Sequence, residues 1–262
     1  MQVLDHGYVT LVESWGSDER VVEAARMSTA KGFLGWGPKC ATCGDAFDAP
    51  ERECPLPSGG RPLVDCGRGG HKFDAPGDEK LLSFLYENRH DTPFEMAGMV
   101  IEVKASIFVY REWHRHRTQS YNEMSARYVP LPNENYTPTV ERILAGARTA
   151  GSNKQAQGKL DISEHDALVW LAALADLYEH AQRVYELGIE LGVPKELARL
   201  PVPVARYSRM RASANLRNWL GFLTLRRSPK AQWEIRQYAD AVHTLLSSAF
   251  PRTMSLFDEH TR

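Results

Sequence analysis

The chain has 262 residues, 43% of them hydrophobic and 25% charged, with a formal net charge of -1. This is the composition of a globular protein with enough mass for a sizeable core. The near-zero charge argues against a strongly basic nucleic-acid-binding domain or a polybasic membrane binder, and no apolar run approaches the length of a membrane-spanning helix. The opening MQVLDHGYVTLVESWG holds acids and no cationic stretch, so no signal peptide is expected and the expected location is cytoplasmic.

Residues 3–13 alternate loosely and predict a strand. Ser17 and Asp18 open a predicted helix with Val21, Val22, Ala24 and Ala25 on its apolar side. The composition then changes. Residues 32–77 hold ten of the 19 glycines, six of the 15 prolines and all four cysteines, with no helical or strand period. They read as an insertion within a single domain spanning 1–262.

In that insertion, Cys40 and Cys43 are two thiolates with two residues between them, a spacing that grips one tetrahedral ion. A closed structural zinc site of Cys40, Cys43, Cys54 and Cys66 is expected, with His71 as a spare ligand. The alternatives are a loop with reduced thiols and a redox pair. No strand-helix context supports the redox pair.

A second helix is predicted from about Asp78, with Leu81, Leu82, Leu85 and Tyr86 on one side. His90–Glu95 is a polar turn, Met99–Lys104 a strand, and Ser106 caps a helix running through IFVYREWHRHR. Glu123, Ser125 and Arg127 are spaced by two, so an extended segment would line one wall with a carboxylate, a hydroxyl and a guanidinium. A short helix is predicted near 139–147 and a long one over 163–191. The long helix is opened by Ser163 and Asp166 and striped by Leu168, Leu171, Ala172, Ala175, Tyr178 and Leu187. Pro194 opens a short helix ending near Arg199, and two final helices run over about 215–224 and 230–249.

The densest chemistry is RHRTQSYNEMSARY at 115–128. Buried charge at this density costs too much for a core element. Gly and Pro, the residues of a flexible loop, are absent. The segment reads as an anion site.

Arg115, His116, Arg117, Ser120, Asn122, Glu123, Ser125, Arg127 and Tyr128 match the signature RHRxxSxNExSxRY, and so resemble the flavin-dependent thymidylate synthases. The resemblance extends to AARMS at 24–28, HDTPFE at 90–95, ELARLPVP at 196–203, SANLRNWLGFLTLR at 213–226 and AQWEIRQYA at 231–239. It implies an α/β fold of the α+β type: a mixed sheet core flanked by helices, with a helical C-terminal part. It implies a reaction in which the methylene of methylenetetrahydrofolate goes to C5 of dUMP. FAD reduced by NADPH supplies the hydride, giving dTMP. Small-molecule partners, dUMP and folate, are expected, with no nucleic acid and no membrane. A homotetramer with shared active sites is implied.

The same resemblance assigns flavin contacts to His90, Thr92, Arg115, His116, Arg117, Glu123, Asn215, Arg217 and Gly221. It assigns dUMP contacts to Glu112, Arg115, Glu123, Met124, Ser125, Ala126, Arg127, Arg199 and Arg226. Arg226 and Ser125 are the expected catalytic pair. Arg226 resembles the cation that stabilises charge on the uracil ring, and Ser125 reads as a hydrogen-bond donor because no flanking His activates it as a nucleophile. Arg127 and Arg199 suit a phosphate. Every cysteine lies in the insertion, so the cysteine-nucleophile mechanism of flavin-free synthases has no candidate.

Four positions depart from the family pattern. Glu112 stands where members often have Gln, Gly221 where an Asn is common, Lys230 and Met96 where a His is common. Other readings remain: a zinc-containing nucleic-acid-binding protein, or a flavin-binding homologue without synthase activity.

Overall fold

The structure, a computed structural model, describes residues 1–37, 77–149 and 162–260. The chain forms two compact units. One comprises Met1–Glu13, Val100–Ala214 and Gly221–Thr244; the other comprises Ser14–Met99, Asn215–Leu220 and Leu245–Arg262.

The first unit carries the sheet. Its order is β1 (Gln2–Val3), β2 (Gly7–Trp15), β3 (Gly98–Ser106), β5 (Tyr207–Asn215) and β4 (Ser120–Glu123), with antiparallel pairs at both edges. The expected α/β class with flanking helices is borne out. The strand expected over 3–13 is two strands, because Leu4 takes a left-handed turn at φ 58° between them.

Strand β3 buries Ile101, Val103 and Ala105 by strict alternation, and β5 buries Tyr207, Met210, Ala212 and Ala214. Helix α3 (Ile107–Trp113) is pinned by Tyr110, whose buried hydroxyl accepts from the Ala105 N–H at 3.1 Å. It also reaches the carbonyls of Val103 at 2.8 Å and Ser208 at 3.0 Å. Burial holds that hydroxyl well above the usual tyrosine range, so it remains a donor.

Arg206 has no exposed surface and, among the described residues, no ion-pair partner. Its guanidinium instead donates to Asn135 Oδ1 at 2.9 Å, Pro132 O at 2.9 Å and Gln182 Oε1 at 2.8 Å. Neutral acceptors on three segments thus satisfy one buried cation, and tie helix α5 to the start of β5.

Helix α5 (Glu164–Glu190) begins with the expected capping box of Ser163 and Asp166. Its expected apolar stripe is not the buried one. Leu168 and Leu187 are exposed, while Ala167, Ala181, Gln182 and Tyr185 are buried. Periodicity marks an apolar face but not what covers it. Helix α4 (Val140–Thr149) packs against α5, as does the short α6 (Lys195–Ala198), which follows Pro194 as expected.

The second unit is built on helices. α1 (Asp18–Arg26), α2 (Asp78–Glu87) and α9 (Pro251–His260) pack on one another, and a 3-10 turn at Thr92–Met96 lies against α1. Ser17 caps α1 as expected, accepting from Arg20 N–H. Two buried carboxylates hold the unit together. Asp18 accepts from the Thr253 hydroxyl at 2.6 Å and from the N–H groups of Arg252 at 2.8 Å and Thr253 at 3.2 Å, so a residue of α1 caps α9. Desolvation nevertheless raises its pKa.

Asp78, fully buried, pairs with Arg26 and accepts from Leu34 N–H at 2.6 Å. Its own N–H donates to Gly35 O at 2.9 Å. The chain on either side of the insertion is therefore tied together. Gly77 is required there, since a Cβ would lie 1.8 Å from Gly37 O.

Helix α7 (Leu216–Arg226) starts in this unit, where Leu216 N–H donates to Ala97 O at 2.7 Å and the Trp219 indole to Met99 O at 3.1 Å. Helix α8 (Trp233–Ala249) follows it. Strand β5 and helix α9 were not among the sequence expectations.

The cysteines Cys40, Cys43, Cys54 and Cys66 of the expected zinc site, with His71, lie outside the described residues. Among the described residues, no three His, Cys, Asp or Glu side chains are grouped to hold a metal, and no helix is long and apolar enough to cross a membrane.

Removing one partner of a buried ion pair strands the other, at a cost of about 3–5 kcal/mol. Asp78→Ala is therefore expected to destabilise the protein by about that amount in urea unfolding. A loss below about 1 kcal/mol would show that Arg26 finds another partner or water.

Candidate active site

Helix α3 ends at Trp113, not at Arg117. The expected helix through RHR is corrected: Arg115, His116 and Arg117 follow the helix as successive turns. His116 N–H donates to Trp113 O at 3.0 Å and Gln119 N–H to His116 O at 3.3 Å. The Trp113 side chain explains the stop. It is buried against Phe222 at 4.7 Å and its indole donates to Gln119 Oε1 at 3.1 Å, which folds the chain back on itself. The Tyr121 hydroxyl, on β4, lies 2.7 Å from His116 O and 3.2 Å from Trp113 O. Burial pushes that hydroxyl up to about 12, so it stays protonated and serves as the donor.

Arg226, in the last turn of α7, meets this loop. Its Nη1 donates to Glu112 Oε2 at 2.7 Å, its Nη2 to Glu112 O at 2.6 Å and its Nε to His116 Nε2 at 2.8 Å. All three guanidinium nitrogens are engaged by two residues. His116 accepts with Nε2, so the ring is neutral and any proton it carries is on Nδ1. Desolvation and then the Arg226 charge lower its pKa from the usual 6.5 to about 4. Sequence reasoning placed Glu112, His116 and Arg226 in the site, but not their mutual bonding. The chain separation of over a hundred residues gives no signal for it.

Beyond β4 the chain is extended only as far as Ser125. Tyr128 N–H donates to Ser125 O at 3.0 Å and Arg127 N–H to Ser125 Oγ at 3.3 Å. This turn overturns the single wall of Glu123, Ser125 and Arg127, because it rotates Arg127 off the strand direction. Arg127 pairs instead with Glu196 of α6 at 3.5 Å, and Lys195 donates to Tyr128 O at 3.0 Å. Ala126 is buried. Met124 is partly exposed, with its sulfur 4.0 Å from Arg209. Glu123, Arg115, Arg117 and Arg199 are exposed.

The second unit groups a different subset. His90, Thr92 and Arg217 line one cleft of about 450 Å³ together with Arg89 and Asp91. Arg217 is held by Glu95 at 2.5 Å and Asp91 at 3.2 Å. Asn215 Oδ1 accepts from Asn218 N–H at 2.9 Å, so it caps the first turn of α7 that carries Arg217. Arg89 was missed by sequence reasoning. It sits at φ 57°, the left-handed conformation that closes α2, a position where glycine is usual. Two guanidiniums, an imidazole and a hydroxyl in one cleft suit an anionic diphosphate. Gly221 lies further along α7, where a Cβ would meet open space.

A neutral, half-buried His that takes up a proton more readily once unfolded makes stability depend on pH. The native pKa of about 4 lies below the usual 6.5, so the contribution is complete above 6.5 and is lost as pH falls through that window. His116→Gln keeps an acceptor for Arg226 and removes the titration. The variant is expected to show a shallower loss of unfolding free energy across this window, by up to about 1.4 kcal/mol per pH unit. Parallel curves for the two proteins would show that His116 is already charged in the native state.

Comparison with known proteins fits this geometry. Residues 10–252 match the family model described as thymidylate synthase complementing protein. The flavin-dependent thymidylate synthase of Thermus thermophilus is 35% identical over 98% of this chain and 78% of its own length. That of Pseudothermotoga lettingae is 32% identical over 98% of this chain and 92% of its own. Among solved structures, the UMP/dUMP methylase PolB from Streptomyces cacaoi, bound with 5-Br dUMP, superposes with a TM-score of 0.72 at 28% identity. That match covers 99% of this chain and 97% of PolB. With a family model covering nearly its whole length and relatives of this identity, the chain belongs to the thymidylate synthase complementing proteins, the flavin-dependent thymidylate synthases.

Proposed function

We propose that the protein converts dUMP to dTMP by flavin-dependent reductive methylation, with methylenetetrahydrofolate as carbon donor and NADPH as reductant. The observation that carries this is the fixed guanidinium of Arg226. It is bracketed by Glu112 and His116 beside the signature loop, so a cation is already oriented there; the family resemblance would set it against the charge that a pyrimidine ring gains. A preorganised charge of this kind needs no reorganisation during reaction.

The donors of the second-unit cleft fit the diphosphate of FAD. His90, Thr92 and Arg217 would hold it, with Arg89 beside them. FAD, when bound and reduced, supplies the hydride that completes the methyl group. The chain's own residues bind and orient. Ser125 donates a hydrogen bond to the nucleotide, Arg127 and Arg199 neutralise its phosphate, and Arg226 balances charge at N3 of the ring. The exposed apolar residues of α5, Leu168, Val169, Trp170, Leu177 and Leu187, support assembly as a homotetramer.

A purified preparation is expected to show flavin absorbance and to form thymidylate from dUMP when given both cosubstrates. Arg226→Ala is expected to keep the flavin and lose thymidylate formation by about a hundredfold or more. Full activity in that variant would remove Arg226 from the chemistry. Ser125→Ala is expected to weaken dUMP binding by about 1–3 kcal/mol with measurable turnover, as for a lost positioning donor. A covalent Ser125–nucleotide adduct trapped and found by mass spectrometry would contradict that role.

A further inference from the structure

Glu112 is the departure from the family pattern that the structure explains. Its carboxylate does not face solvent alone; it takes one nitrogen of Arg226, and its backbone carbonyl takes another. The Arg226 side chain is only 13% exposed, while that of Glu112 is 43% exposed. The cation of this pair is therefore mostly buried and its carboxylate partly exposed. The backbone carbonyl and His116 Nε2 stay in place whatever residue 112 carries, so they alone keep the guanidinium oriented.

A carboxylate is a planar, delocalised anion with two acceptor oxygens. The imide edge of a uracil ring, when its N3 loses a proton, is also a planar, delocalised anion with acceptors side by side. The two are alternative partners for the same face of a guanidinium. A neutral Gln at this position would offer one acceptor and no charge.

We infer that Glu112 is a positioning residue whose carboxylate competes with the pyrimidine ring of the nucleotide for Arg226. It acts as an internal counter-ion that the substrate displaces, so it lowers nucleotide affinity while leaving the cation oriented. This rests on the synthase reading above. The carboxylate is partly exposed, so its hold on Arg226 is modest and displacement by substrate is feasible.

The test measures dUMP binding directly, by calorimetry on the flavin-loaded protein, for the parent chain, Glu112→Gln and Glu112→Ala. Both variants are expected to bind dUMP about fivefold more tightly, the scale of a partly exposed ion pair. The change is read in the dUMP dissociation constant, and KM for dUMP should fall with it. The control ligand is 2-deoxyribose 5-phosphate, which has the sugar and phosphate but no ring. Its affinity should not change. Weaker or unchanged dUMP binding in the variants would overturn the inference, since a residue that contacts the nucleotide itself behaves that way. Equal tightening for both ligands would also overturn it, because Glu112 would then merely repel the phosphate. These outcomes are separate from the reading on which the inference rests. That reading, and the inference with it, fails if the parent protein binds dUMP but forms no thymidylate with flavin, NADPH and methylenetetrahydrofolate present.

Discussion

The bracket around Arg226 is the constraint on which the first unit's site depends. A guanidinium cannot be left mostly buried without acceptors, and this one finds them on two residues flanking the end of α3. The last turn of α7 is thereby fixed to the loop carrying Arg115, His116 and Arg117. One turn earlier on α7, Phe222 packs against both Trp113 and His116, at 4.7 Å and 4.9 Å. Apolar contact sets the approach of the helix, and the charged contact sets its rotation. Moving either would move the other, because interiors this dense do not deform continuously.

The second unit solves a different problem with the same chemistry. Its helices are short, so their unpaired ends are a large share of their backbone. Asp18 and Asp78 take up those groups: one caps α9 from α1, the other joins Arg26 to the base of the insertion. Arg89 adds a strained left-handed residue at the end of α2, costing about 1 kcal/mol relative to glycine. That strain sits beside His90, in the cleft suited to a diphosphate. Strained residues cluster where geometry is used for function.

Much of this was legible in the sequence, for identifiable reasons. The signature at 115–128 and the five further segments identified the family, the signature because charged and polar residues at that density do not make a core element. The starts of α1, α5 and α6 were legible because Ser17, Ser163 and Pro194 act locally. Strand β5 was not legible. Its buried face is Ser208, Met210, Ala212 and Ala214, and its other face carries Arg209 and Arg211, so no apolar alternation stands out. The end of α3 was hidden because nothing between Trp113 and Arg117 breaks a helix; a tertiary contact does. Arg127 was misplaced because a turn three residues long outweighed the two-residue period of a strand.

In a chain with net charge -1, positive charge is shared unevenly among the arginines of the candidate sites. Two arginines of the candidate sites have carboxylates beside them: Arg226 with Glu112, and Arg217 with Asp91 and Glu95. By contrast, Arg115, Arg117 and Arg199 are exposed and make no ion pair among the described residues. Paired arginines are oriented but partly neutralised, whereas exposed ones keep their charge and their freedom. The first kind suits a planar ring or a fixed diphosphate, where direction decides binding. The second suits capture of a mobile phosphate, where charge alone raises encounter and the side chain settles afterwards. The carboxylates therefore divide the candidate sites' cations into those that are partly neutralised and those that keep their full charge.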